Sequence, residues 1–195
     1  LICTQFLNVD LGEESKTRDI LYASGKLENG DTLHLFVNHW PSRYGGELES
    51  KHKRNKAAET LRTCIDSLLS KSPDCKIVIM GDFNDYPDDE SLHLILNAKA
   101  PSKLIETNQL YNLAFPLNEM GKQGSHKYSG EWGMLDQMIV SGSLLMSNSK
   151  SKIKPSGLTI CKESFLLKDG ASGAMPKRAF LGTFFAYGYS DHLPI

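Results

Sequence analysis

Four short segments of this chain carry side chains that could do chemistry together. Asn38-His39-Trp40-Pro41-Ser42-Arg43 sets an imidazole and a guanidinium a few residues apart. Gly81-Asp82-Phe83-Asn84 puts a carboxylate and an amide on alternate residues, which in an extended segment project from the same side. Asp136 is a lone acid within the apolar run 134–140, and Ser190-Asp191-His192 joins a carboxylate to a second imidazole. Two histidines, three carboxylates and an amide suit metal-assisted attack of water on a phosphate ester. Hard oxygen ligands favour Mg2+ or Mn2+ over zinc. One imidazole can take the water's proton if a carboxylate fixes its tautomer.

Each feature has a plainer reading. A Gly-Asp pair after a strand is often an ordinary turn. Asp136 is harder to dismiss, because a carboxylate inside an apolar strand needs a partner. His192 alone could be a satisfied histidine, and Trp40 and Phe83 read as packing residues. The run Lys51-His52-Lys53-Arg54 reads as a solvated helix face. Its place near a helix N-terminus, where positive charge is unfavourable, raises the chance that Arg54 faces an anion or a carboxylate.

The elements that must position these residues follow from periodicity. Residues 18–28 and 31–38 alternate apolar and polar about Asn29-Gly30 and predict an antiparallel hairpin that Pro41 terminates. From about Lys53 to Leu69 the apolar residues recur at helical spacing, with Cys64 among them, and 76–80 is a short apolar run expected to be buried on both faces. Strand, helix, strand with so long a crossover predicts parallel pairing, with both strand ends facing one crevice. His39 and the 81–85 segment would then meet. A helix capped by Asp88 or Asp89, strands at 125–129 and 134–140, and loops over 141–156 and 168–178 complete the expectation.

The chain has 195 residues, which suits one domain. Lys plus Arg number 22 and Asp plus Glu 23, a net charge of −1, which excludes a basic nucleic-acid coat and an acidic tail. Hydrophobic residues at 40% and charged residues at 23% mark a globular chain. No apolar stretch approaches the roughly 20 residues of a membrane span. The first nine residues lack the basic region and cleavage site of a signal peptide. Four scattered cysteines, with no Cys-x-x-Cys and no paired histidines, argue against a zinc site and fix no redox compartment. The chain starts at Leu1 without an initiator Met, so it reads as a processed or excised piece, and no localisation is assigned.

Taken in order, Asn-His-Trp-Pro-Ser-Arg, Gly-Asp-Phe-Asn, Leu-Asp-Gln-Met-Ile-Val-Ser and Ser-Asp-His-Leu-Pro resemble the endonuclease/exonuclease/phosphatase superfamily. Deoxyribonuclease I, abasic-site endonucleases, sphingomyelinases and inositol-polyphosphate phosphatases belong to it. The resemblance covers residues 17–195 and is nearest to bacterial members with the His-Trp-Pro-Ser-Arg form. It implies an α/β fold, the four-layer α/β sandwich of deoxyribonuclease I, with the site at one end of two facing sheets. It also implies His192 as general base, Asp136 holding its ring, Asp82 positioning the water and Asn84 stabilising the pentavalent phosphorus. His39 would bind a non-bridging oxygen or assist the leaving group, Asp191 would lie close to the metal (Mg2+ or Mn2+), and Arg18 and Arg43 would contact phosphate.

There is one departure. Family members carry an asparagine and a metal-binding glutamate in an N-terminal half that this chain begins too late to contain. Glu13 and Glu14 precede the Arg18 segment and are not assigned to that role. Residues 1–195 are therefore expected to be the C-terminal portion of one catalytic domain, poorly active alone and incomplete at the N-terminus and the C-terminal strand. Its exposed sheet edge would be open to self-association.

The expected function is a divalent-metal-dependent phosphoesterase that hydrolyses phosphodiester or phosphomonoester bonds by activated water. The competing class is a non-enzymatic or inactive binding or scaffold module of the same fold; the presence of His39, Asp82, Asn84, Asp136 and His192 together argues against it. Candidate partners are a nucleic acid, a small phosphodiester or a lipid headgroup. The net charge of −1 leans away from nucleic acid, whose affinity rests on phosphate neutralisation. Loops at 41–52, 116–127 and 168–180 are expected to set specificity.

Overall fold

A computed structural model of the protein describes residues 1–13, 15–121 and 123–195; Glu14, and the Lys122 of the 116–127 loop, lie outside the described residues. Strands β1 (Cys3–Leu7), β2 (Ile20–Lys26) and β3 (Thr32–His39) lead through helix α1 (Glu47–Lys71) to β4 (Lys76–Asp82). Then follow β5 (Ala98–Lys99), β6 (Leu110–Asn112), α2 (Phe115–Glu119), β7 (His126–Tyr128), β8 (Glu131–Gly133) and β9 (Asp136–Ser141). Two short hairpins close the chain, β10 (Leu167–Lys168) with β11 (Met175–Pro176) and β12 (Phe180–Leu181) with β13 (Phe184–Phe185).

Seven strands form one mixed sheet in the order β1-β2-β3-β4-β9-β6-β5. The hairpin about Asn29-Gly30 is present, with Gly30 at φ 88 in its turn. The parallel pairing of β3 and β4 across α1 is present too. Alternation along the central strands divides the core. Phe36, Ile77, Ile79 and Ile139 pack with Ala57, Ala58, Leu61 and Ile65 of α1 on one face. Val78, Met80, Met138 and Val140 face the other way, against Leu113, Leu144 and Leu158. On that second face Val37 of β3 is 44% exposed. The architecture is α/β; of the layers expected, the described residues build this sheet and the helix on one face.

Several local expectations shift. Helix α1 begins at Glu47, six residues before the apolar periodicity, because its first turns are mostly polar and their one leucine, Leu48, is 78% exposed. Glu47 and Glu49 lie in that first turn, where carboxylates favour the helix dipole. The basic run thus falls inside the helix, and Arg54 is 1% exposed within the core. The helix expected after Asp88 or Asp89 is only a π-helical turn, Ser91–Ile95, with Glu90 at its start and no side-chain cap. Asp89 instead accepts a hydrogen bond from the Tyr86 N–H at 2.7 Å. The 168–178 loop holds the small β10–β11 ladder. The C-terminal residues make a single antiparallel bridge, His126 with His192.

Gly81 has a specific reason to be glycine. Its φ is +131, and a β-carbon there would collide with the main-chain carbonyl of Asn38 on β3. Gly81→Ala should therefore lower stability by about 1–3 kcal/mol or more, read as a fall in the urea midpoint. An unchanged midpoint would show that β3 and β4 can separate freely at this point.

Candidate active site

The site is built by strand register. His39 is the pairing partner of Asp82 across β3 and β4, and Asp82 is the partner of Asp136 across β4 and β9. Paired residues share a face, so three functional side chains form one row on the face opposite α1. The row sits at the last residues of the parallel pair, where open α/β sheets bind ligands. The expectation that His39 and the 81–85 segment meet is met by an ion-pair distance of 3.6 Å from His39 Nε2 to Asp82 Oδ2.

The C-terminal segment supplies the fourth group. The bridge to β7 and the hydrogen bond from Leu193 N–H to the Ser125 carbonyl carry His192 over the row. His192 Nδ1 lies 2.5 Å from Asp136 Oδ2, and its Nε2 lies 3.9 Å from Asp82 Oδ2. The Ser125 hydroxyl donates to the same Asp136 oxygen at 2.5 Å and accepts from the Asp136 N–H at 3.2 Å. With an ionised Asp136 as acceptor, Nδ1 carries the proton and Nε2 is left as the free base.

These groups line one cleft of about 450 Å³, bordered by His39, Asp82, Asn84, Asp136, Asp191 and His192. Burial pulls the His192 pKa down, but the hydrogen bond and charge of Asp136, with Asp82 and Asp191 beyond, outweigh it and raise it above its ordinary value. Burial likewise pushes Asp82 up, opposed by the charge of His192 and by the Asn84 N–H. His126 goes the opposite way, to about 4, through burial first and then the nearby His192 and Arg178. Its ring lies against that of His192, tilted by 34° with centroids 4.6 Å apart.

Two expected site residues sit differently from the extended-chain reading. The strand ends at Asp82, and Asn84 adopts a left-handed backbone, φ +53. An Asx turn makes the bend, the Asn84 N–H donating to Asp82 Oδ1 at 2.9 Å, while the Asn84 amide donates to the Trp40 carbonyl at 3.0 Å. Arg43 is engaged within the protein rather than lining the cleft. Its Nε donates to the Asn84 carbonyl at 2.7 Å, and its terminal nitrogens meet Glu47 at 2.8 Å, Asp89 at 2.9 Å and Asp85 at 3.4 Å. Beneath it the buried Arg54 pairs with Asp85 at 2.5 Å, the carboxylate that its place near the helix start had hinted at. Together Arg43 and Arg54 clamp the 84–89 loop to α1. Arg18 lines a neighbouring cavity and not the cleft.

Ser125 and His126 carry no role in the sequence reading. The only signal is their place in a short strand; what makes them matter is the hydrogen bond of Ser125 to Asp136, eleven positions on, and the contact of the His126 ring with His192. Among the described residues, two groups of three side chains have donor atoms within 4.8 Å of one another, Asp82-Asp136-His192 and His126-Asp191-His192. The first is the less free, since its Asp136 oxygen already accepts two hydrogen bonds. The cleft as a whole gathers three carboxylates, a donor set that fits a hard divalent cation.

Comparison with known proteins agrees with this architecture. Residues 4–195 match the family described as Endonuclease/Exonuclease/phosphatase, and the chain belongs to that family. Truncated Caenorhabditis elegans TDP2 superposes with a TM-score of 0.50 at 14% identity, over 72% of this chain and 52% of that one. The human Nocturnin catalytic domain gives 0.49 at 16% identity, over 81% and 54%. A Bacteroides thetaiotaomicron mannosyl-6-phosphatase gives 0.47 at 14%, over 72% and 52%. The chain spans about half the length of these solved structures. No match was found among curated proteins.

The Asp136 contact yields a direct test. Asp136→Asn removes the charge that raises His192 and leaves burial, which lowers it. The His192 titration midpoint, followed by NMR, should move down, with Asp82 and Asp191 left as the charges that hold it up. In linkage terms, the pair's stabilisation is complete below pH about 6.5 and is lost as pH rises through the folded-state pKa. A midpoint unmoved by the substitution would remove Asp136 from its place as the ring's partner.

Proposed function

We propose that the protein is a phosphoesterase in which His192 activates water, and that residues 1–195 carry the acid–base portion of its catalytic domain. The observation that supports this most directly is the joining of His192 to the His39-Asp82-Asp136 row through a 2.5 Å contact. The water's proton passes to His192 Nε2, while Nδ1–H stays hydrogen-bonded to Asp136, whose charge stabilises the imidazolium that results. The 3.9 Å between Nε2 and Asp82 Oδ2 is too long for a direct hydrogen bond and suits a water held between them. Asp82 orients that water toward phosphorus.

His39, on the far side of Asp82, faces the non-bridging oxygens or the leaving oxygen. The Asn84 side chain borders the same cleft from a fixed backbone and supports the charge that develops on phosphate. A divalent cation, Mg2+ or Mn2+ by the oxygen-rich donor set, would supply Lewis-acid charge to the phosphate when bound. The exposed Asp191 carboxylate is the residue of this chain placed to hold it. Among substrates the cleft itself favours no single ester; a phosphodiester or a phosphomonoester both offer the attacked phosphorus.

The test is hydrolysis of bis(p-nitrophenyl) phosphate by the full-length protein with Mg2+ or Mn2+. EDTA should abolish turnover, and His192→Ala should lower kcat by about 10²–10⁴-fold while the circular dichroism spectrum is retained. A loss of less than about tenfold would exclude His192 as the base.

A further inference from the structure

The bridge between β7 and the C-terminal segment does more than carry His192 over the row. It pairs His126 with His192 directly, and residues opposite each other in an antiparallel pairing present their side chains on one face. Two imidazoles from distant parts of the chain thus lie together in the wall of the cleft, ring centroids 4.6 Å apart. The sequence shows no histidine pair; the fold makes one. Asp191 joins them at a bend where the His192 N–H donates to the Ser190 hydroxyl at 3.1 Å. Its exposed carboxylate and one nitrogen from each ring lie within 4.8 Å of one another.

The chemistry of this trio differs from that of the three carboxylates. Imidazole suits a borderline cation such as Zn2+, whereas Mg2+ takes oxygen. Two histidines and a carboxylate, with a fourth position left for water, are a set that tetrahedral zinc accepts. Two imidazoles on one tetrahedral zinc stand with ring centres about 5 Å apart, close to the spacing present here. A closing movement of about 1.4 Å at most takes 4.8 Å to the roughly 3.4 Å between ligands of such an ion. The support a ligating histidine needs is in place as well. His192 Nδ1 lies 2.5 Å from Asp136, which leaves Nε2 for a metal. A carboxylate on the far nitrogen orients a ligating ring and raises its basicity. The His126 ring stands against the rings of His192 and Tyr128, with no hydrogen bond or ion pair on its nitrogens among the described residues.

We propose that His126, Asp191 and His192 form a binding site for a borderline divalent cation, Zn2+ in the first instance, and that the ion held there inhibits hydrolysis. The inhibition rests on the phosphoesterase reading. The lone pair of His192 Nε2 can take the water's proton or bind a metal, and not both. Asp191, drawn to the same ion, is also withdrawn from the hard cation it is placed to hold. The cleft then discriminates between divalent ions by donor type. Mg2+ or Mn2+ on oxygen leaves His192 free to act, and Zn2+ on imidazole removes the base.

Binding and turnover test this separately. Full-length, metal-free protein titrated calorimetrically with ZnCl2 should bind saturably, and His126→Gln should weaken binding by about tenfold or more. Asp191→Asn, at an exposed position, should weaken it too, and carries the comparison if His126→Gln loses its circular dichroism spectrum. The NMR ring signals of His126 and His192 should both shift on addition of Zn2+. No saturable binding, equal binding by the variants, or unmoved ring signals overturns the site. With Mg2+ present, Zn2+ should inhibit hydrolysis of bis(p-nitrophenyl) phosphate. Half-inhibition, measured against each protein's own uninhibited rate, should need about tenfold more Zn2+ or beyond in His126→Gln. Turnover that survives saturating Zn2+, or that Zn2+ alone sustains, overturns the inhibition. If His126→Gln raises the Mg2+ requirement as much as the Zn2+ requirement, the selectivity for imidazole is overturned. Zn2+ binding that the variants weaken, in a protein that hydrolyses no ester with Mg2+, supports the cation site and overturns the phosphoesterase reading.

Discussion

The register of three strands is the constraint on which the site depends. His39, Asp82 and Asp136 come from positions far apart in sequence, and only the ladders β3–β4 and β4–β9 bring them into line. Because side chains alternate across a sheet, a slip of one residue in either ladder would turn one member of the row toward α1. The register is held by what lies on the opposite face. Phe36, Ile77, Ile79 and Ile139 are fully buried, and moving any of them to the cleft face would expose a large apolar side chain. Apolar burial on one side of the sheet therefore fixes polar geometry on the other.

A second level of support holds the turn after β4. Two arginines from different places, Arg43 and Arg54, converge on Asp85, and Arg43 also holds the Asn84 carbonyl. Each of the other two nitrogens of Arg54 donates one hydrogen bond, to the Ser50 hydroxyl at 2.7 Å and to the Glu47 carbonyl at 3.0 Å. A buried guanidinium is tolerable only when so many of its donors are matched. Below Asp85, Gln137 of β9 donates to its carbonyl at 2.6 Å, and Asn112 of β6 donates to Gln137 at 2.5 Å. The loop that carries Asn84 is thus bound to the helix on one side and to the sheet on the other.

Much of this was legible in the sequence, for reasons that can be named. Asn29-Gly30 marked the hairpin because it supplies a backbone conformation few residues accept. The run at 76–80 marked a central strand because only burial on two faces removes alternation. Asp136 stands out because an acid in such a run must have a partner, and its carboxylate meets both His192 and Ser125. What stayed hidden depended on contacts rather than on local pattern. The first two turns of α1 hold a single apolar residue, Leu48, and carry no periodic signal. Arg43 looked like an anion contact, yet its neighbours in space are Glu47, Asp85 and Asp89. Asn84 was read on an extended chain because nothing in Gly-Asp-Phe-Asn announces that the strand stops at Asp82. Ser125 gave no sign of its bond to Asp136.

The left-handed backbone of Asn84 narrows what evolution or a protein engineer can place there. Glycine would keep the bend and delete the amide that reaches Trp40. Leucine or glutamine would meet steric resistance in the main chain before side-chain chemistry entered the matter. Aspartate tolerates the bend but would set a second acid next to Asp82 and exchange a donor for an acceptor. Backbone shape and chemical role thus demand the same residue, so the mutational freedom of this position is far smaller than its location in a loop would lead one to expect.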